Sequence, residues 1–384
     1  MDINIDPFIN YYWTPILVCI FTILSLKICE YFKVSYKKSC FLFFWHTLFC
    51  VLYFYYSLAF GGDSIVYYQR AISDELIDIN FGTSFVVILT RFFTSIGFSY
   101  LDLFLINNFI GYIGLLSFSS AIKYATDYKD KVTKTLGWVL ILLPSVSFWT
   151  VALGKDSIAF MAVGLALWSS LDFKRRKFLL LFSIFSMFLV RPHMGAIMAI
   201  SFVFALIFDK KTSLYVKIFL GLISVVSTAL IIPIMLNYIG LGDAEELSDV
   251  DQYVDKRQNS NLSGGSSVDI SSMSLPMQMF TYLFRPLPFE AHSMFALLAS
   301  LDNIILLLLF LLGAKALIRK SQPSIDSSRI FLWSYFYISL IILATTTANL
   351  GIAMRQKWMF IPCVIFLLLS VIGSRNINSY ENKK

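Results

Sequence analysis

The sequence has little charge, few histidines and no paired cysteines. Only 14% of its 384 residues are Asp, Glu, Lys or Arg, whereas 58% are hydrophobic. A soluble domain of this length could not cover so much apolar surface, which excludes a soluble globular fold. Basic residues are not gathered with aromatic residues on one face, so nucleic-acid binding is disfavoured. The five cysteines have no paired spacing and therefore predict neither a disulfide framework nor a metal site.

Long apolar runs are what the chain contains instead. Recurring runs of roughly 18 or more residues predict an all-α, polytopic membrane bundle with about eleven transmembrane helices, forming a single integral membrane domain over residues 1–384. No basic segment or cleavage site precedes the first run, which we therefore expect to be retained. The predicted spans are residues 13–30, 40–60, 98–122, 136–153, 157–171, 178–190, 194–208, 218–239, 294–317, 330–349 and 358–373.

Lysine and arginine lie mainly in the loops on one side of this scheme, such as FKVSYKK, KYATDYKDKVTK and DFKRRK. The positive-inside rule makes that side cytoplasmic, with the N-terminus periplasmic and the C-terminus cytoplasmic in a bacterial inner membrane. Residues 61–97 then form a first periplasmic segment, and residues 240–293 a large periplasmic loop. Residues 82–97 are apolar but short and contain Arg91, so we expect an interfacial or re-entrant helix on the periplasmic face.

The unusual polar residues fall at one depth in this arrangement, the outer membrane–water boundary. Two turns between predicted spans carry Lys155 with Asp156 and Arg191 with His193. The large loop ends in the segment RPLPFEAH, whose two prolines make the backbone stiff. Together the boundary residues are Asp63, Arg70, Lys155, Asp156, Arg191, His193, Arg285, Glu290, His292, Arg355 and Lys357.

The predicted spans themselves contain almost no charge. Asp102 and Asp302 lie where spans begin, and we interpret both as helix-terminal residues. His46 lies within the second span and is interpreted as a hydrogen-bonded core residue. Because transporters place charges near the bilayer midplane, the scarcity of such charges argues against a transport path.

Each boundary residue has a structural and a functional interpretation. Structurally, Lys155 and Asp156 end a hairpin, Arg191 reaches lipid headgroups and Glu290 caps the next helix. Functionally, they form a site for a polyprenyl pyrophosphate, whose tail lies in lipid and whose phosphates lie at the interface. Arginine binds phosphate oxygens in pairs, and a nearby histidine or carboxylate would deprotonate a sugar hydroxyl. Since arginine offsets the charge of the leaving group, we expect neither a cofactor nor a metal.

The segments GGDSIVYY, LPSVSFWTVALGKDS, VRPHMG and LFRPLPFEAHSMFALLASLDN resemble the Wzy-type polymerases of O-antigen and capsular repeat units, and more broadly the GT-C class of membrane glycosyltransferases. The resemblance implies transfer of a growing glycan from undecaprenyl pyrophosphate onto a lipid-linked repeat unit at the periplasmic face. Implied partners are that lipid-linked glycan, the bilayer, and a chain-length regulator and flippase of the same pathway.

The same resemblance implies roles for individual residues. Pyrophosphate binding maps onto Arg191, Arg285 and Arg355, and the base maps onto His193, His292 or Glu290, among which the sequence does not choose. Further candidates are Lys155, Asp156 and Arg70 for substrate binding and Asp63 for catalysis.

Two alternatives stay open. A GT-C transferase that adds one sugar from a polyprenyl monophosphate would have Asp63 at its centre. A lipid-linked oligosaccharide flippase or another transporter belongs to a different functional class, and would be distinguished by charges along an internal path.

Overall fold

The computed structural model describes residues 12–209, 266–291, 293–325 and 329–374, together with residues 213, 215 and 217. Within these residues the protein is helical and has no strand, and the one β-type pairing there is an isolated antiparallel bridge between Ser267 and Asn349. The all-α prediction is confirmed. The chain divides into two compact units, Met1–Arg191 with Gly373–Lys384 (unit 1) and Pro192–Ile372 (unit 2).

Helices account for most of the described residues in each unit. The described part of unit 1 contains α1 Trp13–Tyr31, α2 Tyr36–Phe60, α3 Asp63–Ile72, α4 Thr83–Ser95, α5 Tyr100–Thr126, α6 Lys131–Ile141, α7 Pro144–Thr150, α8 Lys155–Ser170 and α9 Phe173–Val190. The described part of unit 2 contains α10 Pro192–Phe208, α11 Leu275–Phe284, α12 Met294–Ile318, α13 Arg329–Thr346, α14 Leu350–Gln356 and α15 Ile361–Val371. The described part of unit 2 also contains two short 3₁₀ turns, Pro288–Glu290 and Lys357–Met359.

Several helices have the length and composition of membrane spans. Among the described residues six qualify, and a seventh is obtained if the pair Leu350–Met359 and Ile361–Val371, bent by 65°, counts as one broken span. The number of long apolar helices therefore identifies a multi-pass membrane protein. The count of about eleven and the orientation of the termini stay predictions, and the predicted span 218–239 lies outside the described residues. The six are Trp13–Tyr31, Tyr36–Phe60, Tyr100–Thr126, Lys131–Thr150, Ala296–Ile318 and Arg329–Thr346.

One predicted span contains a break, and another directly follows one. In the span predicted at 136–153, α6 ends at Ile141 and α7 begins at Pro144. Proline has no backbone N–H to donate, so it suits the first position of a helix and not its interior. The span predicted at 358–373 is preceded by α14, and the 3₁₀ turn Lys357–Met359 separates α14 from α15.

The segment predicted as an interfacial helix forms α4. Its 13 residues are about 20 Å long, which is shorter than the roughly 30 Å of a bilayer core. The Arg91 guanidinium donates hydrogen bonds to the carbonyl oxygens of Arg70, Ala71 and Ser73 at 2.8–3.0 Å. Arg91 therefore fastens α4 to the end of α3, while the depth of α4 in a membrane stays a prediction.

Helices α1 and α5 of unit 1 run in the same direction, because hydrogen bonds join both their starts and their ends. At one end, the Thr14 hydroxyl at the start of α1 donates to Asp102 Oδ1 at 2.6 Å, and Asp102 forms a capping box with Ser99 at the start of α5. This confirms Asp102 as a helix-terminal residue. At the other end, Lys123 in the last turn of α5 donates to the carbonyl of Lys33, which follows α1.

His46 lies fully buried on α2, as expected of a core residue. Neither of its ring nitrogens has a hydrogen-bond partner among the residues that the structure describes, so the predicted hydrogen bond is not found there. The packing is close: a β-carbon added at Gly111 of α5 would lie 2.8 Å from His46 Nε2 and 2.1 Å from the carbonyl oxygen of Thr150, the last residue of α7. Glycine is thus required where α5 approaches the backbone of α7 and the side chain of His46.

Candidate functional site

The strongest candidate site in unit 1 is the contact between Arg191 and Asp156. Arg191 follows the last residue of α9, and Asp156 is the second residue of α8. Arg191 Nη2 donates to Asp156 Oδ1 at 2.9 Å, and the two side chains are only 9% and 11% exposed. Arg191 Nε is buried and has no hydrogen-bond partner within the described part of the chain. The helix dipole favours the Asp156 carboxylate at the N-terminus of α8.

Lys155 brings a second positive charge to this place. Its ammonium donates to the hydroxyl of Thr83, the first residue of α4, at 3.0 Å. The neighbouring Gly82 amide donates to the carbonyl of Leu189 near the end of α9 at 2.8 Å. The starts of α4 and α8 and the end of α9 therefore meet, which collects Lys155, Asp156 and Arg191 in one cluster.

Helix α3 passes over the turn that precedes this cluster. Gly154 in that turn has φ +157°, and a β-carbon there would lie 3.2 Å from Tyr67 Cε2. Asp63, Tyr67 and Arg70 share one face of α3, because they are four and three residues apart. Tyr67 is buried and Asp63 is exposed. The structure thus brings the helix that carries Asp63 and Arg70 to the same end of unit 1.

In unit 2, Arg285 and Glu290 bind each other. Arg285 Nη2 lies 2.7 Å from Glu290 Oε1, and Arg285 Nε donates to Oε2 at 3.1 Å. The Leu287 amide donates to the same Oε2 at 2.8 Å. Burial raises the pKa of Glu290, but the hydrogen bonds from Arg285 and Leu287 and the charge of Arg285 hold that pKa below its ordinary value. Glu290 is therefore a weak base. Its carboxylate also contacts Nε and Nη2 of Arg285, which form one edge of that guanidinium.

Sequence reasoning missed a buried polar group behind this turn. Lys357, expected in the last outer loop, is only 1% exposed and donates to Asn303 Oδ1. Asn303 Nδ2 in turn donates to the carbonyl of Pro286 at 3.1 Å. Asp302 is not at the end of a helix as expected: it lies in the third turn of α12, is 2% exposed and interacts electrostatically with Lys357. The Asp-Asn pair within an apolar run was the available signal.

The remaining candidates are less enclosed. His193 is the second residue of α10, and Arg355 lies in the last turn of α14; both are half-buried. His292 lies outside the described residues. No group of three or more His, Cys, Asp and Glu side chains in the described part of the chain is arranged to hold a metal ion.

Assignment of a function depends on these local arrangements. The chain matches no family model, and comparison with curated proteins and with solved structures also finds no match.

Proposed function

We propose that this protein is a membrane glycosyltransferase that polymerises undecaprenyl-pyrophosphate-linked repeat units of O-antigen, capsule or another exopolysaccharide. In this proposal the chain crosses a bacterial inner membrane about eleven times. Its N-terminus is periplasmic and its C-terminus cytoplasmic. The Lys155–Asp156–Arg191 cluster then faces the periplasm, at the depth where the phosphates of a lipid-linked donor lie.

The proposal is carried by the nearly buried Arg191. Asp156 accepts a hydrogen bond from Arg191 Nη2, while Arg191 Nε has no protein partner among the described residues. A buried donor without a partner costs about 1–3 kcal/mol, and a phosphate oxygen beside Nε would remove that cost. Lys155 and Arg191 together outweigh the one carboxylate, so the cluster keeps a net positive charge for a pyrophosphate.

The reaction assigns one task to each group. An acceptor sugar hydroxyl attacks the anomeric carbon of the donor glycan and forms the new glycosidic bond. The bond from that carbon to the pyrophosphate oxygen breaks, and its electron pair leaves with undecaprenyl pyrophosphate. Arg191 and Lys155 stabilise the charge that develops on this leaving group. The hydroxyl proton passes to a general base.

Asp63 is the base that the geometry of unit 1 favours. It lies on the face of α3 that carries Tyr67, and Tyr67 packs against Gly154, directly before Lys155. Glu290 is a poorer candidate because Arg285 and the Leu287 amide stabilise its charged form. In the micelle reaction described below, we expect Asp63→Asn to abolish polymerisation and His193→Ala to reduce it only mildly.

One observation favours transport as a second candidate function. Discontinuous helices with buried charges are typical of transporters. Lys357 is buried at a 65° helix break, and Asp302 is buried within α12. This pair weakens the argument that the spans lack internal charge. A lipid-linked oligosaccharide flippase would use such a pair along its path.

A reaction in detergent micelles separates these functions. Micelles do not enclose two compartments, so a transporter has no measurable activity there, whereas a glycosyltransferase still forms product. The purified protein is incubated with the lipid-linked repeat unit, which is extracted from a deletion strain that lacks the protein. A polymerase produces a ladder of longer glycans and releases undecaprenyl pyrophosphate. A single-sugar transferase adds one sugar, and only when a polyprenyl-monophosphate sugar is supplied. Absence of any product, with complete loss of surface glycan in the deletion strain, would contradict the proposal and favour a flippase.

A further inference from the structure

A cleft opens between α2, α5 and α6 in unit 1, far from Asp156 and Arg191. Its volume is about 290 Å³, close to the lower limit for small-molecule sites. Ser157, which follows Asp156, bonds to Asn107 in the early part of α5, whereas the cleft is lined by the last turns of that helix. The cleft and the Arg191 cluster therefore lie at opposite ends of α5.

Three lysines line the cleft, one from each helix. Lys38 comes from α2, Lys123 from α5 and Lys134 from α6, and Asp127 is the one acidic residue of the lining. None of the three lysines forms an ion pair with another described residue. All three lysines are exposed to solvent, so they give the mouth of the cleft a positive potential that attracts anions.

The lysines keep donors available for such an anion. Lys123 gives one hydrogen to the carbonyl of Lys33, and an ammonium has three to donate. The Lys38 ammonium lies 4.7 Å from the centre of the Trp138 ring, a cation–π contact that fixes its position at the rim. Trp138 and Ile122 add apolar surface beside the charged groups. The lining thus combines an anion-binding part with an apolar part.

The beginning of α2 adds backbone donors. Ser35, the residue before this 25-residue helix, lines the cleft, and its side chain makes no capping hydrogen bond. The first amide groups of a helix have no intrahelical acceptor and carry a partial positive charge. Together with the lysines they provide both the charge and the directed donors that a phosphate group requires.

We propose that this cleft binds a phosphate-bearing anion, held by Lys38, Lys123 and Lys134 with its apolar part against Trp138. Two sources carry this chemistry: the headgroup of an anionic phospholipid, and a free phosphate compound. The site lies away from the Arg191 cluster and does not depend on the proposed polymerase function.

The test measures ligand retention by the full-length protein in detergent, using native mass spectrometry. One arm offers phosphatidylglycerol and, as a zwitterionic comparison, phosphatidylcholine with the same acyl chains. The second arm adds inorganic phosphate and follows its binding by ³¹P NMR. The variant carries Lys38→Gln, Lys123→Gln and Lys134→Gln. A matched control carries Lys131→Gln, Lys174→Gln and Lys177→Gln, three lysines outside the cleft lining.

We expect the wild type to retain one phosphatidylglycerol in preference to phosphatidylcholine. Each lysine should contribute about fivefold, so the triple cleft variant should bind on the order of a hundredfold more weakly, and the control should bind like the wild type. Displacement of the lipid by millimolar phosphate, with the same lysine dependence, would identify a free phosphate compound as the ligand. Equal losses of binding in the cleft variant and the control would overturn the proposal. So would equal retention of phosphatidylglycerol and phosphatidylcholine together with no binding of inorganic phosphate.

Discussion

Arg191 donates a 2.9 Å hydrogen bond to Asp156, and both side chains of this ion pair are about nine-tenths buried. The pair joins the end of α9 to the start of α8. Removing one partner of such a pair leaves the other charged and out of water, which costs more than the pair contributes in total. Loss of activity in a single variant therefore has two sources, substrate binding and folding, that must be measured separately.

A double-mutant cycle separates the folding term. We expect Asp156→Asn or Arg191→Gln alone to reduce the free energy of unfolding by about 3–5 kcal/mol, and the double variant to recover much of that loss. The exposed pair of Asp172 and Arg175 provides the control, and its coupling should be below about 1 kcal/mol. Unfolding by denaturing detergent in mixed micelles gives these values. Equal coupling at the two pairs would contradict the buried-pair interpretation.

Arg191→Lys tests the phosphate role while keeping the charge. A lysine retains an ion pair with Asp156 but loses the planar arrangement of donors that binds phosphate oxygens. We expect the rate of polymer formation in micelles to fall about a hundredfold, equivalent to roughly 3 kcal/mol in the transition state. Arg175→Lys, at the exposed pair, should keep the wild-type rate. If the Arg191→Lys protein is folded and fully active, Arg191 does not bind the phosphates of the donor in the way proposed.

The Arg285–Glu290 pair predicts a specific pH dependence. Since the folded-state pKa of Glu290 lies below its ordinary value of 4.5, the pair stabilises the protein fully above that pH. The contribution is lost as the pH falls through the lowered pKa. We expect Glu290→Gln to be about 1 kcal/mol less stable than the wild type at pH 7 and equal to it at pH 2. Glu75→Gln, on an exposed loop, should show no difference at either pH. A difference at Glu290 that persists at pH 2 would exclude the ion pair as its cause.

The buried pair in unit 2 distinguishes polymerisation from transport. Replacing Lys357 by Met together with Asp302 by Asn removes both charges and leaves no unpaired ion, so the protein should stay folded. We expect this variant to polymerise in micelles at a rate within about threefold of the wild type, because the proposed reaction uses Asp63, Lys155 and Arg191 and not Lys357 or Asp302. A flippase that uses the pair would instead lose transport in proteoliposomes. Loss of polymerisation in a folded variant would place the pair in the reaction.

The sequence was informative where a physical rule acts locally. Apolar runs predicted most of the described helices, and the Ser99–Asp102 spacing fits a capping box that is found at the start of α5. Lys155 and Arg191 lie at the same end of unit 1, as expected for residues at the ends of successive helices, while their depth in a membrane stays a prediction.

Tertiary contacts explain what the sequence did not predict. The hydrogen bond from Lys155 to Thr83 joins residues 72 positions apart, and no periodicity encodes it. Lys357 was placed in a loop because a lysine near an apolar run normally marks its end. It is buried instead because α12 supplies Asn303 as an acceptor. Asp302 was misplaced for a related reason: α12 begins at Met294, so the carboxylate lies in its third turn.

The bond from Lys357 to Asn303 has a consequence for biosynthesis. A lysine near the centre of an inserting helix costs about 2.5–3.5 kcal/mol, so the bent segment around Lys357 is a poor candidate for entering lipid by itself. Asn303 is synthesised 54 residues earlier, which means that its acceptor is present before the lysine leaves the ribosome. We therefore expect the segment around Lys357 to insert with the help of α12. Moving α12 behind α15 in a permuted chain should reduce insertion of this segment.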